Sequence, residues 1–164
     1  MKPPPFDYYD PTTLREALDL LRQHGEEGKI LAGGQSLVPL LNLRLTRPRT
    51  IIDVNKVREL DYIREADGGL AIGALTRDRA LETSPLVAQR SPLLVEAAHW
   101  VGHLQIRNLG TFGGSLAHAD PAAEFPAVVA ALGGTLVMQG PAGTRMLTPA
   151  EFFLTYLTTT LEPT

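Results

Sequence analysis

Fifteen glycines and thirteen prolines in 164 residues constrain this chain more than any other feature, because they bunch at turns between periodic segments. That punctuation predicts many short elements joined by tight loops, with no convincing internal repeat. Hydrophobic residues make up 44% and charged residues 20%, as in a globular protein and unlike a disordered one. The length suits one substantial domain or two small lobes.

The composition excludes several classes of function. With no cysteine the chain has no disulfide, thiolate nucleophile or iron–sulfur ligand of its own. A formal net charge of −3 with dispersed basic residues offers no cationic stripe for nucleic acid. Arg44, Arg47 and Arg49 form a local cluster, read as solvated or subunit-facing. No apolar run approaches the roughly 18 residues of a membrane span. Met1-Lys-Pro-Pro-Pro-Phe6 lacks the apolar core of a signal peptide, so a cytoplasmic protein is expected.

The periodic segments read in order. Thr13 and Glu16 form a capping box for a helix with Leu14, Ala17, Leu18 and Leu21 on one face, stopped by Gly25. Lys29–Ala32 has a buried-strand pattern, and 37–45 is apolar at helical spacing. Thr50–Val54 reads as a strand, and 62–66 with 70–75 as a hairpin turning at Asp67-Gly68-Gly69. Helices are expected at 76–83, 92–101 and 122–132. A second hairpin is expected at 135–139 and 144–147 around Gly140-Pro-Ala-Gly143, then a helix opened by Thr148 and Glu151 with Pro149 in its first turn. The order predicts an α+β chain with mixed sheets, parting into lobes near residues 55–60. Residues 102–121 are predicted as a long polar loop, and loops of that length in a compact domain are usually functional.

Two glycine-rich segments carry the candidate chemistry. Ala32-Gly33-Gly34-Gln35-Ser36-Leu37 sits between a strand and a helix, where paired glycines let the backbone approach an anion and free amides favour phosphate. It is neither a Gly-x-Gly-x-x-Gly turn nor a Gly-Lys-Ser/Thr loop, which disfavours Rossmann and P-loop readings. The second segment offers donors at Thr111, Gly113, Gly114 and Ser115, and acceptors for sugar hydroxyls at Asp120 and Glu124. Two donor-rich loops suit a ligand with two phosphates and polar groups at each end. His99 and His103 share an i, i+4 spacing but lack an evident third ligand, so a packing or surface role is expected for both. Trp100, with Val101, reads as core before a surface that stacks on a ligand. Asp53 reads as a structural residue at a strand end.

Ala32-Gly-Gly-Gln-Ser36, Gln105-Ile-Arg-Asn-Leu-Gly-Thr-Phe-Gly-Gly-Ser115 and Asp120-Pro-Ala-Ala-Glu-Phe-Pro126, with Phe6-Asp7-Tyr8 and Thr50-Ile-Ile-Asp53, resemble the FAD-binding subunits of the xanthine dehydrogenase and carbon monoxide dehydrogenase family. The likeness covers nearly the whole chain. It implies a two-lobed FAD-binding fold of the vanillyl-alcohol-oxidase-like (PCMH) type, with lobes at 1–56 and 57–164. On this resemblance, Lys29, Ile30, Leu31, Ala32, Gly33, Gly34, Gln35, Ser36 and Leu37 wrap the FAD pyrophosphate. Thr111, Phe112, Gly113, Gly114 and Ser115 join them from the other lobe, and Val101, Arg107, His118, Asp120 and Glu124 contact the flavin and its sugar.

No catalytic or metal-binding residue is implied. The implied partners are a molybdopterin-binding large subunit and a 2Fe-2S small subunit in a hetero-oligomer, with FAD passing electrons to an external acceptor. The family's small C-terminal domain is expected to be absent beyond Leu161-Glu-Pro-Thr164. Rival readings are a self-sufficient flavin oxidase or reductase of the same fold, and a flavin-free assembly scaffold.

Overall fold

The computed structural model describes residues 1–140 and 142–161. Strands β1 (Asp7–Tyr9), β2 (Gly28–Leu31) and β3 (Thr50–Asp53), with helices α1 (Leu14–His24) and α2 (Leu37–Asn42) between them, build a parallel three-stranded sheet in the order β1-β3-β2. Tyr8 lies opposite Ile51, and Ile30 opposite Ile52. The β-branched run Thr50-Ile51-Ile52 takes the central position and is buried, as a strand covered on both faces requires. Residues of β1 stay exposed.

The expected capping box opens α1: Glu16 N–H donates to Thr13 Oγ1 at 3.2 Å and Glu16 Oε2 accepts from Thr13 N–H at 3.2 Å. Ala17 then packs with Ile52, Val54, Val57 and Leu75, flanked by Leu14, Leu20, Leu21 and Leu60. This first core therefore draws on residues as far along as Leu75. Leu18, expected on the packed face, instead lines an open cleft between α1 and Gln139–Gly140, and Leu20 packs in its stead.

A hairpin of β4 (Ile63–Ala66) and β5 (Gly69–Ile72) follows, paired antiparallel from Ile63 opposite Ile72 to Ala66 opposite Gly69. Asp67 (φ 50°) and Gly68 (φ 77°) both lie in the left-handed region, as a two-residue I′ turn demands. Helices α3 (Asp78–Thr83), α4 (Pro85–Arg90), α5 (Pro92–Trp100), α6 (Leu104–Leu109), α7 (Phe112–His118) and α8 (Glu124–Ala131) enclose the second core. Leu81, Val87, Ala98 and Phe125 lie at its centre, and the Phe112 and Phe125 rings meet edge to face at 5.2 Å. The second hairpin, β6 (Leu136–Gly140) with β7 (Gly143–Leu147), forms as expected; Pro141 of its turn lies outside the described residues. The Thr148–Glu151 capping box opens α9 (Pro149–Phe152), and β8 (Phe153–Thr155) pairs with β9 (Thr158–Thr159). Glu162-Pro163-Thr164 lie outside the described residues.

The long loop expected at 102–121 is instead two short helices, α6 and α7. Glycines at 113 and 114 argue against helix by propensity, but tertiary packing overrides it. A Cβ on Gly113 would lie 2.5 Å from Ala74 Cβ and 2.7 Å from Ala74 O, so only glycine lets α7 approach the turn that follows β5. The expected 92–101 helix ends at Trp100, and His103 precedes α6 with extended geometry; His99 and His103 therefore do not share a helix face. Trp100 is 68% exposed and is not core. No helix among the described residues is long and apolar enough to cross a membrane.

Phe125 is fully buried at the centre of the second core. Phe125→Ala is expected to lower unfolding stability by about 3–5 kcal/mol, read by urea denaturation followed by far-UV circular dichroism.

Candidate cofactor site

The first glycine-rich segment bridges β2 and α2. Gly34 has φ 71°, which turns the chain sharply, and its carbonyl accepts from Val38 N–H at 3.0 Å. Among the described residues, the amides of Gly33, Gly34, Gln35, Ser36 and Leu37 donate to no protein acceptor. None of these residues is buried, so the amides are accessible, and a run of adjacent free amides forms a concave anion cradle. Ser36 is exposed and makes no side-chain capping bond, so its hydroxyl adds a donor. Gln35 behaves differently from the expectation: its Nε2 donates to the Gly33 carbonyl at 2.8 Å, turned inward onto its own loop. Lys29 and Ile30 are exposed on the edge strand β2, while Leu31, Ala32 and Leu37 are half-buried.

The second segment is organised otherwise. Thr111 is buried and caps α7, its Oγ1 accepting from Gly114 N–H at 3.2 Å. Phe112 N–H donates to Thr76 O (2.9 Å), Gly113 N–H to Ala74 O (2.9 Å) and Ser115 N–H to Thr111 O (3.0 Å). The backbone donors expected to meet phosphate here are thus committed inside the protein. Ser115 is half-buried and its hydroxyl meets no protein partner among the described residues, so that hydroxyl is the available donor. Phe112, expected beside the cofactor, lies in the core against Phe125. His118 ends α7, and Ala119 follows it with φ 50°, a strained conformation for a non-glycine residue. That turn presents His118, Asp120 and Glu124 half-buried at one end of the segment. Asp120 Oδ1 accepts from Ala122 N–H at 2.8 Å.

The Arg107 side chain is turned onto the protein itself. Its Nε donates to Glu82 at 3.0 Å, and NH1 donates to the carbonyls of His99 (3.3 Å), Val101 (3.1 Å) and Gly102 (3.3 Å). The guanidinium is a clamp on the turn between α5 and α6. It fixes Val101, which is half-buried at that turn.

The two segments meet directly. A Cβ on Gly33 would strike the Leu109 carbonyl oxygen and lie 2.8 Å from Gly110 Cα, so glycine is required there by backbone-to-backbone approach. Residues that sequence reasoning missed hold this junction. Asn55 Nδ2 donates to Ala32 O at 2.8 Å, Arg77 NH2 donates to Asn55 Oδ1 at 2.6 Å, and Arg77 NH1 donates to Leu109 O. Arg77 also bridges Thr111 in antiparallel fashion. Beneath the junction, Asp78 N–H donates to Gly110 O at 3.1 Å. Asp78 is 3% exposed, and its Oδ1 finds no partner among the described residues. No motif marks these residues; the only sequence signal is a polar residue just beyond a strand and an Arg-Asp pair at the start of a short helix.

With this geometry in hand, comparison with known proteins identifies the family. Residues 4–164 match the model for the FAD binding domain in molybdopterin dehydrogenase. The chain is 48% identical over 163 residues to the alpha subunit of the 6-hydroxypseudooxynicotine dehydrogenase complex of Paenarthrobacter nicotinovorans, covering 99% of this chain and 55% of that one. Carbon monoxide dehydrogenase of Hydrogenophaga pseudoflava superposes with a TM-score of 0.97 at 44% identity, over 99% of this chain and 57% of the other. Quinoline 2-oxidoreductase of Pseudomonas putida 86 gives 0.96 at 40% identity, again over 99% and 57%. The chain belongs to the FAD-binding domain family of molybdopterin dehydrogenases, and FAD is its cofactor. It spans about half the length of the relatives it matches.

Burial pushes the Asp78 carboxyl up to about 7; Arg77 and Arg107 oppose the shift and Glu124 adds to it. The folded protein therefore holds a proton that the unfolded chain releases above its ordinary value of 3.8. Relative to a neutral residue, the stability associated with Asp78 is lost as pH rises towards about 7, by up to about 1.4 kcal/mol per pH unit. The stability of Asp78→Asn minus that of the wild type is expected to grow with pH between about 4 and about 7 and then level off. Urea titrations across that range check it, and a pH-independent difference would refute it.

Proposed function

We propose that this chain is the FAD-binding, electron-relaying part of a molybdenum hydroxylase or dehydrogenase complex in the cytoplasm. Its partners in that reading are a molybdopterin-binding large subunit and a 2Fe-2S small subunit. FAD supplies the electron-transfer chemistry there, accepting electrons from the iron–sulfur carrier and delivering them to an external acceptor. Relatives named as a dehydrogenase complex subunit and a dehydrogenase medium chain support this assignment. The absence of cysteine agrees with iron–sulfur clusters held on another chain.

The observation that carries the reading is the run of free amides from Gly33 to Leu37, set against the Leu109–Gly110 backbone. These amides hold the pyrophosphate, with Ser36 and Ser115 as hydroxyl donors. Binding uses groups already preorganised in the protein, so little reorganisation is required. Asp120 and Glu124 accept hydrogen bonds from sugar and ribityl hydroxyls, and His118 and Val101 lie along the flavin. Thr111, Gly113 and Gly114 act one step back by seating α7, and Arg107 acts by fixing the turn at Val101. Residues 1–56 and 57–164 serve as the two lobes, with the cofactor along their seam.

The first test is the visible absorption spectrum of the purified 164-residue chain, followed by heat release of its cofactor. FAD near one equivalent is expected. A folded but colourless protein that takes up no added FAD would leave this chain as an assembly scaffold. Gly33→Ala is expected to abolish FAD retention, because the added methyl meets backbone on the opposite segment; stoichiometric FAD in that variant would count against the placement of the cradle.

A further inference from the structure

The amide cradle lies on one chain segment and the α7 seat on another, and no helix or strand spans both. Their separation is fixed by contacts at Gly33 and by a relay of side chains. Ala32 O accepts from Asn55 Nδ2 (2.8 Å). Asn55 Oδ1 accepts from Arg77 NH2 (2.6 Å). Arg77 NH1 completes the path at Leu109 O. The relay thus ends on the carbonyl just before each glycine that forms the junction. Asn55 is itself held, with its N–H and Nδ2 donating to Asp53 Oδ1 at 2.9 and 2.6 Å, and Asp53 also accepts from the Tyr8 hydroxyl at 2.6 Å. Asn55 and Arg77 are half-buried, so the middle of the relay is partly screened, while its Leu109 end faces solvent.

We propose that Asn55 and Arg77 are positioning residues that set the register of the two cofactor-binding segments, and with it selectivity for a dinucleotide diphosphate over a mononucleotide. This rests on the FAD reading above. A diphosphate bridges the cradle and the group beyond it, so its fit depends on the distance between segments. A monophosphate engages the cradle with fewer fixed contacts and tolerates a looser register.

The guanidinium is suited to this task by shape as well as charge. Its planar fork donates in two fixed directions, which an ammonium on a flexible stem does not reproduce. Arg77 also places a positive charge between the segments, so geometry and charge must be separated in the test.

Apparent affinities for FAD and FMN are measured by titration of the flavin-stripped 164-residue chain and its Asn55→Ala, Arg77→Lys, Arg77→Ala and Asn55→Ala/Arg77→Ala variants. Far-UV circular dichroism and thermal midpoint are recorded without flavin, and Arg77→Lys, as the mildest change, serves if Arg77→Ala does not fold. Each single variant is expected to weaken FAD binding by about ten- to hundredfold, as loss of a hydrogen bond to a charged group predicts, with a smaller change for FMN. Arg77→Lys keeps the charge and is expected to resemble Arg77→Ala. The double variant is expected to be no weaker than the weaker single variant, because the two residues act as one unit. Wild-type affinity in Arg77→Lys would reduce Arg77 to a source of charge and overturn the relay, as would additive losses or equal losses for FAD and FMN. If the wild-type chain binds no FAD, the cofactor reading itself falls, and this proposal with it.

Discussion

Backbone meeting backbone at Gly33 and Leu109–Gly110 is the constraint on which the rest of the site depends. The contact admits no side chain, and it joins a segment that follows a parallel strand to a segment that begins a helix. Everything on either side adapts to it. The sheet order β1-β3-β2 places β2 at an edge, so the chain leaving β2 emerges free to reach across. Asp78 gives up solvation to lie beneath the Gly110 turn, a cost that a buried carboxyl meets by holding its proton.

The two glycine-rich segments look alike as sequence and do different physical work. In the first, glycine leaves amides without partners, so the segment is open to a ligand. In the second, the amides of Phe112, Gly113, Gly114 and Ser115 are all taken by protein oxygens, and glycine serves close packing against Ala74. One segment is a receptor and the other is its abutment. Such a division keeps the ligand-facing donors few and rigidly backed.

Much of the fold was legible because local chemistry and tertiary context agree there. The capping boxes at Thr13 and Thr148, the I′ turn at Asp67-Gly68 and the buried run Thr50-Ile51-Ile52 each have a short-range cause. The failures have a common source. Residues 102–121 looked like a loop because glycine lowers helix propensity, yet helix α7 forms where absent side chains permit contact with Ala74. Phe112 and Arg107 fall within the family motif, but the motif records position in the chain and not the direction of a side chain. Arg107 turned out to hold carbonyls, and Phe112 to fill the core. Asn55, Arg77 and Asp78 lacked any pattern because their significance lies in pairings across 22 to 32 positions of sequence, which no local rule encodes.

Trp100 is the only tryptophan in the chain, and it stands 68% exposed at the end of α5, with His99 edge-on to its ring at 5.7 Å. An indole already in water in the native state has little left to gain by unfolding. Its emission is therefore a poor gauge of whether the two cores are intact, and a sensitive one of what approaches the turn that Arg107 clamps. The molecule carries a natural optical probe on its outer surface, blind to the interior and open to whatever settles beside it.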